Sequence, residues 1–239
     1  MRQKSRTSQT DTQGEFSLNP YAPDHSALPK TLAIFPLTGA LLLPCGKLPL
    51  NIFEPRYVAM INDALATPHR MIGMIQPRPM NDGDTKPPLY DMGCAGKITD
   101  FHETPDGRYE ITLSGISRFH IKKEHDLSEH GFRSIAPDWS QFSSDFEDHD
   151  CLGLNRDDLK SALGRYFKSI DMDCDWNAVD DAPDGRLITC LSMICPFEPT
   201  EKQALLETKC CKDRAELFTQ MLKIASNTCP SADKPTTQH

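Results

Sequence analysis

Residues 34–65 read IFPLTGALLLPCGKLPLNIFEPRYVAMINDAL and hold two strands and a helix in about thirty residues. Leu48, Leu50 and Ile52 alternate with Lys47, Pro49 and Asn51, the period of two that marks a strand with one buried face. Pro49 has no N–H to give to a ladder, so this strand is expected at a sheet edge or at a bend. At Glu54-Pro55 the period changes. Proline suits the first turn of a helix, where a missing N–H costs nothing. Tyr57, Met60, Ile61, Ala64 and Leu65 then follow at three- and four-residue steps and form one apolar stripe. Thr67-Pro68 ends the helix, because a residue before proline is pushed out of the α region.

Outward from this stretch the chain continues as strands. Residues 71–75, MIGMI, are a short apolar strand. Residues 77–88, PRPMNDGDTKPP, hold too many breakers for a regular element. Segments 95–102 and 108–113 flank Thr104-Pro105-Asp106-Gly107, a turn in which proline presets φ and glycine accepts φ > 0, so they form a hairpin. Two further strands are expected at 116–122 and 132–136. From 155 onward the period is helical. Asn155 can cap a helix striped by Leu159, Leu163, Tyr166, Phe167 and Ile170. Asp184 can cap another bearing Leu187, Leu191 and Ile194, and Thr200 with Gln203 has capping-box spacing. Leu217, Phe218, Met221, Leu222 and Ala225 stripe the last helix.

The fold class is therefore α+β: a small, curved, β-barrel-like N-terminal subdomain with one helix, then an α-helical C-terminal subdomain. The expected divisions are a disordered tail at 1–30, the β-rich part at 31–137, an acidic linker at 138–154, the helical part at 155–229, and a tail at 230–239.

The phrase FPL…P…LPL.IFEPRY..M…AL, spread over 35–65, resembles the start of the Lon protease N-terminal domain family. Asp106-Gly107-Arg108-Tyr109, Gly115 and Arg118-Phe119 match that family's later DGRY…G…RF pattern, and 199–207 is similar to its helical part. Three motifs in order are more specific than any one. The resemblance implies a stand-alone, non-catalytic polypeptide-binding module, without the ATPase and protease that follow it in Lon. Its implied partners are unfolded or degron-bearing polypeptides and a separate protease or chaperone.

Composition narrows the alternatives. No apolar run approaches the roughly 18 residues of a membrane helix, so no membrane partner is expected. Residues 1–14 are basic and Ser/Thr-rich but lack an apolar core, unlike a secretory signal. Nine cysteines in no regular framework read as reduced thiols in a cytoplasmic protein, with Cys94, Cys190 and Cys195 at apolar core positions and Cys210-Cys211 as loop thiols. The net charge of −8 is concentrated in 140–200, where thirteen acids face five bases. No basic stripe tracks a phosphate backbone, which argues against nucleic acid.

Catalytic and metal motifs fail on inspection. Gly39…Gly46-Lys47 has six intervening residues and Leu48 where a phosphate loop needs four and a Ser/Thr. Ser231 and Lys234 have S-x-x-K spacing in a polar tail. Asp171, Asp173 and Asp175 open like a calcium loop, but Trp176 and Ala182 replace the glycine and the bidentate glutamate. His120, His125 and His130 lack ligand spacing. No cofactor and no metal are expected.

The candidate polypeptide-binding residues are Leu41, Leu42, Leu43, Met74, Met80, Leu89 and Tyr90, apolar groups beside prolines and glycines where a loop could expose them. Glu54, Pro55, Arg56, Tyr57, Gly107, Gly115 and Arg118 form a structural motif. For Arg56, Tyr57 and Arg118 two readings stand: a ligand groove, or ties between barrel and helix, since a charge beside an apolar stripe must be paired. The rival function is a hydrolase, or a small-molecule-binding barrel, with a site invisible in sequence.

Overall fold

A computed structural model describes residues 21, 25–82, 86–147, 151 and 153–228. Most of the expected tails at 1–30 and 230–239, and with them Ser231 and Lys234, lie outside the described residues.

The organising element is the hairpin of β4 (Met92–Glu103) and β5 (Tyr109–Glu124). Its turn is the expected one: the Thr104 and Arg108 backbones meet at 2.9 Å, Gly107 N–H donates to the Thr104 carbonyl at 2.9 Å, and Gly107 sits at φ +79°. β5 runs unbroken for 16 residues, where two separate strands were expected on either side of Gly115. Gly115 does not break the strand; it lets another backbone come close. Its N–H donates to the Gly46 carbonyl at 2.8 Å and its carbonyl accepts from Cys45 N–H at 3.0 Å. A Cβ there would lie 2.0 Å from the Leu43 carbonyl oxygen.

This length lets β5 serve two neighbours on one side. Its first half pairs antiparallel with β2 (Lys47–Ile52), from Ile52 opposite Tyr109 to Lys47 opposite Ser114. Its second half pairs with β6 (Arg133–Asp138). β6 pairs back to β1 (Leu32–Pro36), which lies parallel to β3 (Met71–Ile75), which pairs with β4. Five strands thus close a ring, β5-β4-β3-β1-β6, and β2 is attached to it through β5 alone. Pro49 is on that edge strand, where its missing donor is tolerated. Register shifts at Ala95/Gly96 and Ile98/Asp100 help the sheet curve. The expected curved β-rich part with one helix is borne out, with β2 leading through Glu54 into α1 (Pro55–Ala66).

The helical part contains α2 (Arg156–Ser169), α3 (Trp176–Asp181), α4 (Asp184–Ile194), α5 (Pro199–Glu207) and α6 (Cys211–Thr228). Asn155 caps α2 by accepting from Asp158 N–H at 3.0 Å. α3 was not foreseen; Asp175 caps it, accepting from Asn177 and Ala178 N–H at 3.1 and 3.2 Å. The start of α5 differs from the expected Thr200/Gln203 box. Pro199 occupies the first turn and Glu201 reaches back to Glu198 N–H at 2.9 Å, which frees Gln203 for another use. Ile194 ends α4 at 61% exposed rather than completing its buried stripe, because Cys195 already leaves the helix.

Two clusters make the core. One fills the barrel, with Leu32, Ile34, Ile116, Phe119 and Ile135. The larger runs from α1 and the outer face of the sheet through α2, α4, α5 and α6 without interruption. Of the segment 138–154, expected as a linker, described residues pack against these parts: Phe142, Asp145 and Cys151 are buried, and Ser143–Phe146 form a 3-10 turn.

Candidate polypeptide-binding surface

Of the seven candidate binding residues, four are core. Leu41, Leu42 and Leu43 are 2%, 2% and 0% exposed and Met74 is 3% exposed. The physical reason lies in glycines far along the chain. Gly96 and Gly115 leave the sheet bare of side chains, and the 37–46 loop folds onto that bare strip. A Cβ on Gly96 would stand 2.7 Å from a Leu42 methyl. Met74 belongs to β3, buried along its whole length.

Met80, Leu89 and Tyr90 remain at the surface, on the loop between β3 and β4. Met80 is 57% exposed, and Leu89 and Tyr90 are half-buried. This loop is tied at both feet. Pro77 bridges Leu89, Arg78 N–H donates to the Pro88 carbonyl at 2.8 Å, and Tyr90 N–H donates to the Gln76 carbonyl at 3.0 Å. The Arg78 guanidinium lies 4.9 Å from the centre of the Tyr90 ring. Farther out, Lys86 and Arg133 both grip Glu124, at 2.6 and 2.9 Å, while Arg133 Nη1 donates to the Pro87 carbonyl at 2.7 Å. These bonds, the Arg133 ones first, hold the Glu124 carboxyl below the usual glutamate range.

The feet of the loop also meet the helical part. Gln76 Nε2 donates to the Pro199 carbonyl at 2.8 Å, and Gln203 Nε2 donates to the Met92 carbonyl at 3.2 Å. Gly39 N–H donates to Gln76 Oε1 at 3.1 Å, and Lys202 Nζ donates to the Gly39 carbonyl at 2.8 Å. Burial lowers the Lys202 ammonium below its ordinary range. Met80, Leu89 and Tyr90 therefore rise from the junction of the barrel with α5.

Arg118 holds that junction from inside. Its side chain is 5% exposed and that of Asp145 2%. Nη2 donates to Asp145 Oδ1 at 2.7 Å, Nε donates to both carboxylate oxygens at 3.1 Å, and the Arg118 backbone N–H donates to Oδ2 at 2.8 Å. Its remaining donors reach the Leu206 carbonyl in the last turn of α5 and the Thr208 and Lys209 carbonyls just after it. Arg214, also buried, donates through Nε to the Leu205 carbonyl at 3.1 Å. Burial, with the Arg118 charge beside it, lowers Arg214 to about 10. Arg118 is thus a clamp among barrel, 3-10 turn and helices, not a groove residue.

The Glu54–Tyr57 turn divides between surface and core. Glu54 and Arg56 pair at 2.8 Å, both about half exposed. The Tyr57 ring is buried, its centre 4.3 Å from the Phe35 ring centre, and the Arg56 guanidinium lies over it at 4.5 Å. Desolvation raises the Tyr57 phenol.

A second apolar spot was missed. Phe53, 66% exposed, follows Ile52 at the end of β2; Phe101, 39% exposed, lies 4.9 Å from the Tyr109 ring. Ile52 pairs with Tyr109, so both phenylalanines belong to the turn end of the hairpin. Phe53 was legible by parity, since it falls on the outward phase of the Leu48–Leu50–Ile52 alternation. Met80 rises from the opposite end of β4, beyond Met92, which is about 30 Å of strand from Phe101 at about 3.3 Å per residue.

The thiols also depart from expectation. Cys151 and Cys211 form a disulfide. Cys94 and Cys195 are buried as expected, and burial pushes the Cys195 thiol up to about 12. Cys190, expected in the core, is exposed. Among the described residues, no helix is long and apolar enough to cross a membrane, and no group of three or more His, Cys, Asp or Glu is placed to hold a metal.

The family model of the ATP-dependent protease La (Lon) substrate-binding domain matches residues 31–223. Curated relatives include Lon protease 2 of Sorangium cellulosum, 30% identical over 46% of this chain and 13% of its own length. Lon protease 2 of Myxococcus xanthus is 24% identical over 82% of this chain and 24% of its own length. Solved structures of similar fold include a Lon N-terminal domain protein from Xanthomonas campestris, at 22% identity and TM-score 0.53 over 80% of this chain and 97% of that one. Another is the N-terminal domain of a Mycobacterium avium complex Lon protease, at 16% identity and TM-score 0.56 over 83% and 99%. The chain spans about a quarter or less of the length of these curated relatives. It belongs to the Lon substrate-binding domain family.

Proposed function

We propose that this member of the Lon substrate-binding family is a non-catalytic, cytoplasmic module that binds unfolded or degron-bearing polypeptide for a separate protease or chaperone. The observation that carries this reading is the loop of Met80, Leu89 and Tyr90. It presents unbranched and aromatic groups at the barrel–helix junction on a base fixed by hydrogen bonds. Methionine adapts to varied partners, and a tied base limits the entropy lost on binding. A site with so few anchors gives micromolar affinity, about −8 kcal/mol. Contacts of this kind persist when salt screens charges.

The test is titration of a labelled unfolded protein at low and high salt against wild type, Met80→Asp, Tyr90→Asp and Phe53→Asp. Weakening by the loop variants alone supports the junction site. Weakening by Phe53→Asp alone moves the site to the turn end of the hairpin. Binding that vanishes with salt and ignores all three variants refutes apolar recognition and points to the acidic 140–200 segment. Leu42→Asp has no place in the set, because a charge at a 2% exposed position would unfold the protein.

A further inference from the structure

The three cysteines near the start of α6 are not used by the polypeptide-binding reading. Cys151 and Cys211 are bonded across 60 residues of chain, and both are buried at 2% and 6% exposed. Cys210 is an exposed free thiol immediately beside Cys211. Its sulfur accepts from Asp213 N–H at 3.5 Å, so it sits at the mouth of the 18-residue α6. Of the three sulfurs it is the one that solvent reaches, and exposure is what an attacking thiol requires. Cys151 also lines an open cleft of about 580 Å³, with Asn155, Asp158, Lys212 and Glu216 among its walls.

We propose that Cys210, Cys211 and Cys151 form a thiol–disulfide exchange centre whose co-reactants are low-molecular-weight disulfides of the glutathione class, with Cys210 as the entry thiol. In the reduced protein the Cys210 thiolate attacks one sulfur of the small disulfide; that S–S bond breaks and the first small thiol leaves. Cys151 then attacks Cys210 Sγ, which expels the second small thiol and joins 151 to 210. Cys211 attacks Cys151 Sγ, the 151–210 bond breaks, and Cys210 is released as a thiol. Two protein thiols are oxidised and one small disulfide is reduced to two thiols, so electrons and protons balance. The Cα atoms of Cys151 and Cys211 are 5.3 Å apart. One further residue places Cys210 within about 9 Å of Cys151, since consecutive Cα atoms are about 3.8 Å apart; the transient 151–210 bond requires the turn before α6 to bring the two Cα atoms under about 7 Å. The final step moves the bond to the buried cysteine, where solvent thiols attack it least.

The test uses full-length protein, reduced, freed of reductant, and exposed to oxidised glutathione, with the 151–211 bond followed by mass spectrometry of digests. Cys210→Ser is expected to slow formation of that bond about tenfold or more, by removal of the accessible nucleophile. Cys190→Ser, which removes another exposed thiol, should leave the rate unchanged. Cys151→Ser should trap glutathione on Cys210. If Cys210→Ser oxidises as fast as wild type, or glutathione accumulates on Cys211 instead, Cys210 is not the entry thiol. If the 151–211 bond forms in none of the proteins, the exchange centre does not exist.

Discussion

Asp145→Ala is expected to cost about 3–5 kcal/mol of stability, the usual penalty for removing one partner of a buried ion pair. Arg118 and Asp145 side chains are 5% and 2% exposed, with the closest contact at 2.7 Å. Arg214 is buried beside them and feels both charges. The native cluster of two arginines and one carboxylate carries a buried charge of +1; the variant would carry +2, with Arg118 still fixed to the carbonyls at the end of α5 and just after it. The assay is urea unfolding of a double-mutant cycle built from Arg118→Met and Asp145→Leu. Each single change should be costly and the pair markedly non-additive, with a coupling near the upper end of the ~0.5–3 kcal/mol seen for contacting residues. A single-variant loss under about 1 kcal/mol is what a solvated pair gives. That result would refute the clamp, as would additive costs.

Tyr57→Ala removes a buried ring from its contact with Phe35 and should cost about 3–4 kcal/mol in chemical denaturation; a loss under about 1 kcal/mol would place the ring in solvent. Gly115→Ala drives a methyl into the Leu43 carbonyl, a backbone atom that cannot swing aside, and should destabilise by about 1–3 kcal/mol or more; unchanged melting would mean the 37–46 loop does not lie on β5. Glu124 has a folded-state pKa below its ordinary 4.5, so its contribution is fully present above pH 4.5 and is lost as pH falls through the lowered value. Melting curves of wild type and Glu124→Gln should differ at neutral pH and converge in acid; a gap constant across that range would show that Glu124 does not hold the loop.

Local chemistry made most of the elements legible. The alternation before Ile52, the proline at the head of α1 and the Pro-Asp-Gly turn each act within a few residues, and each element lies where its pattern placed it. What stayed hidden depends on partners distant in sequence. Leu41–Leu43 look like a loop because their neighbours are Gly39, Pro44 and Gly46; they are core because Gly96 and Gly115 vacate the sheet beneath them. The 138–154 segment looks like a linker because it is acidic, yet one of its acids is the counter-charge of Arg118. The Cys151–Cys211 bond joins positions with no characteristic spacing. Phe53 could have been found by carrying the strand alternation one residue further.

The larger core cluster is shared by the barrel and the helices, with Leu42, Leu113, Leu163 and Phe218 in one continuous body. Neither part owns enough of it to stand alone. A calorimeter should therefore record one endotherm, with a van't Hoff enthalpy equal to the measured heat. Fragments cut at 137 or 155 would expose the severed face to water and collapse or aggregate. Evolution could lengthen the tails or redraw the surface loops freely, but could not shuffle the barrel onto a different helical partner without rebuilding the seam between them.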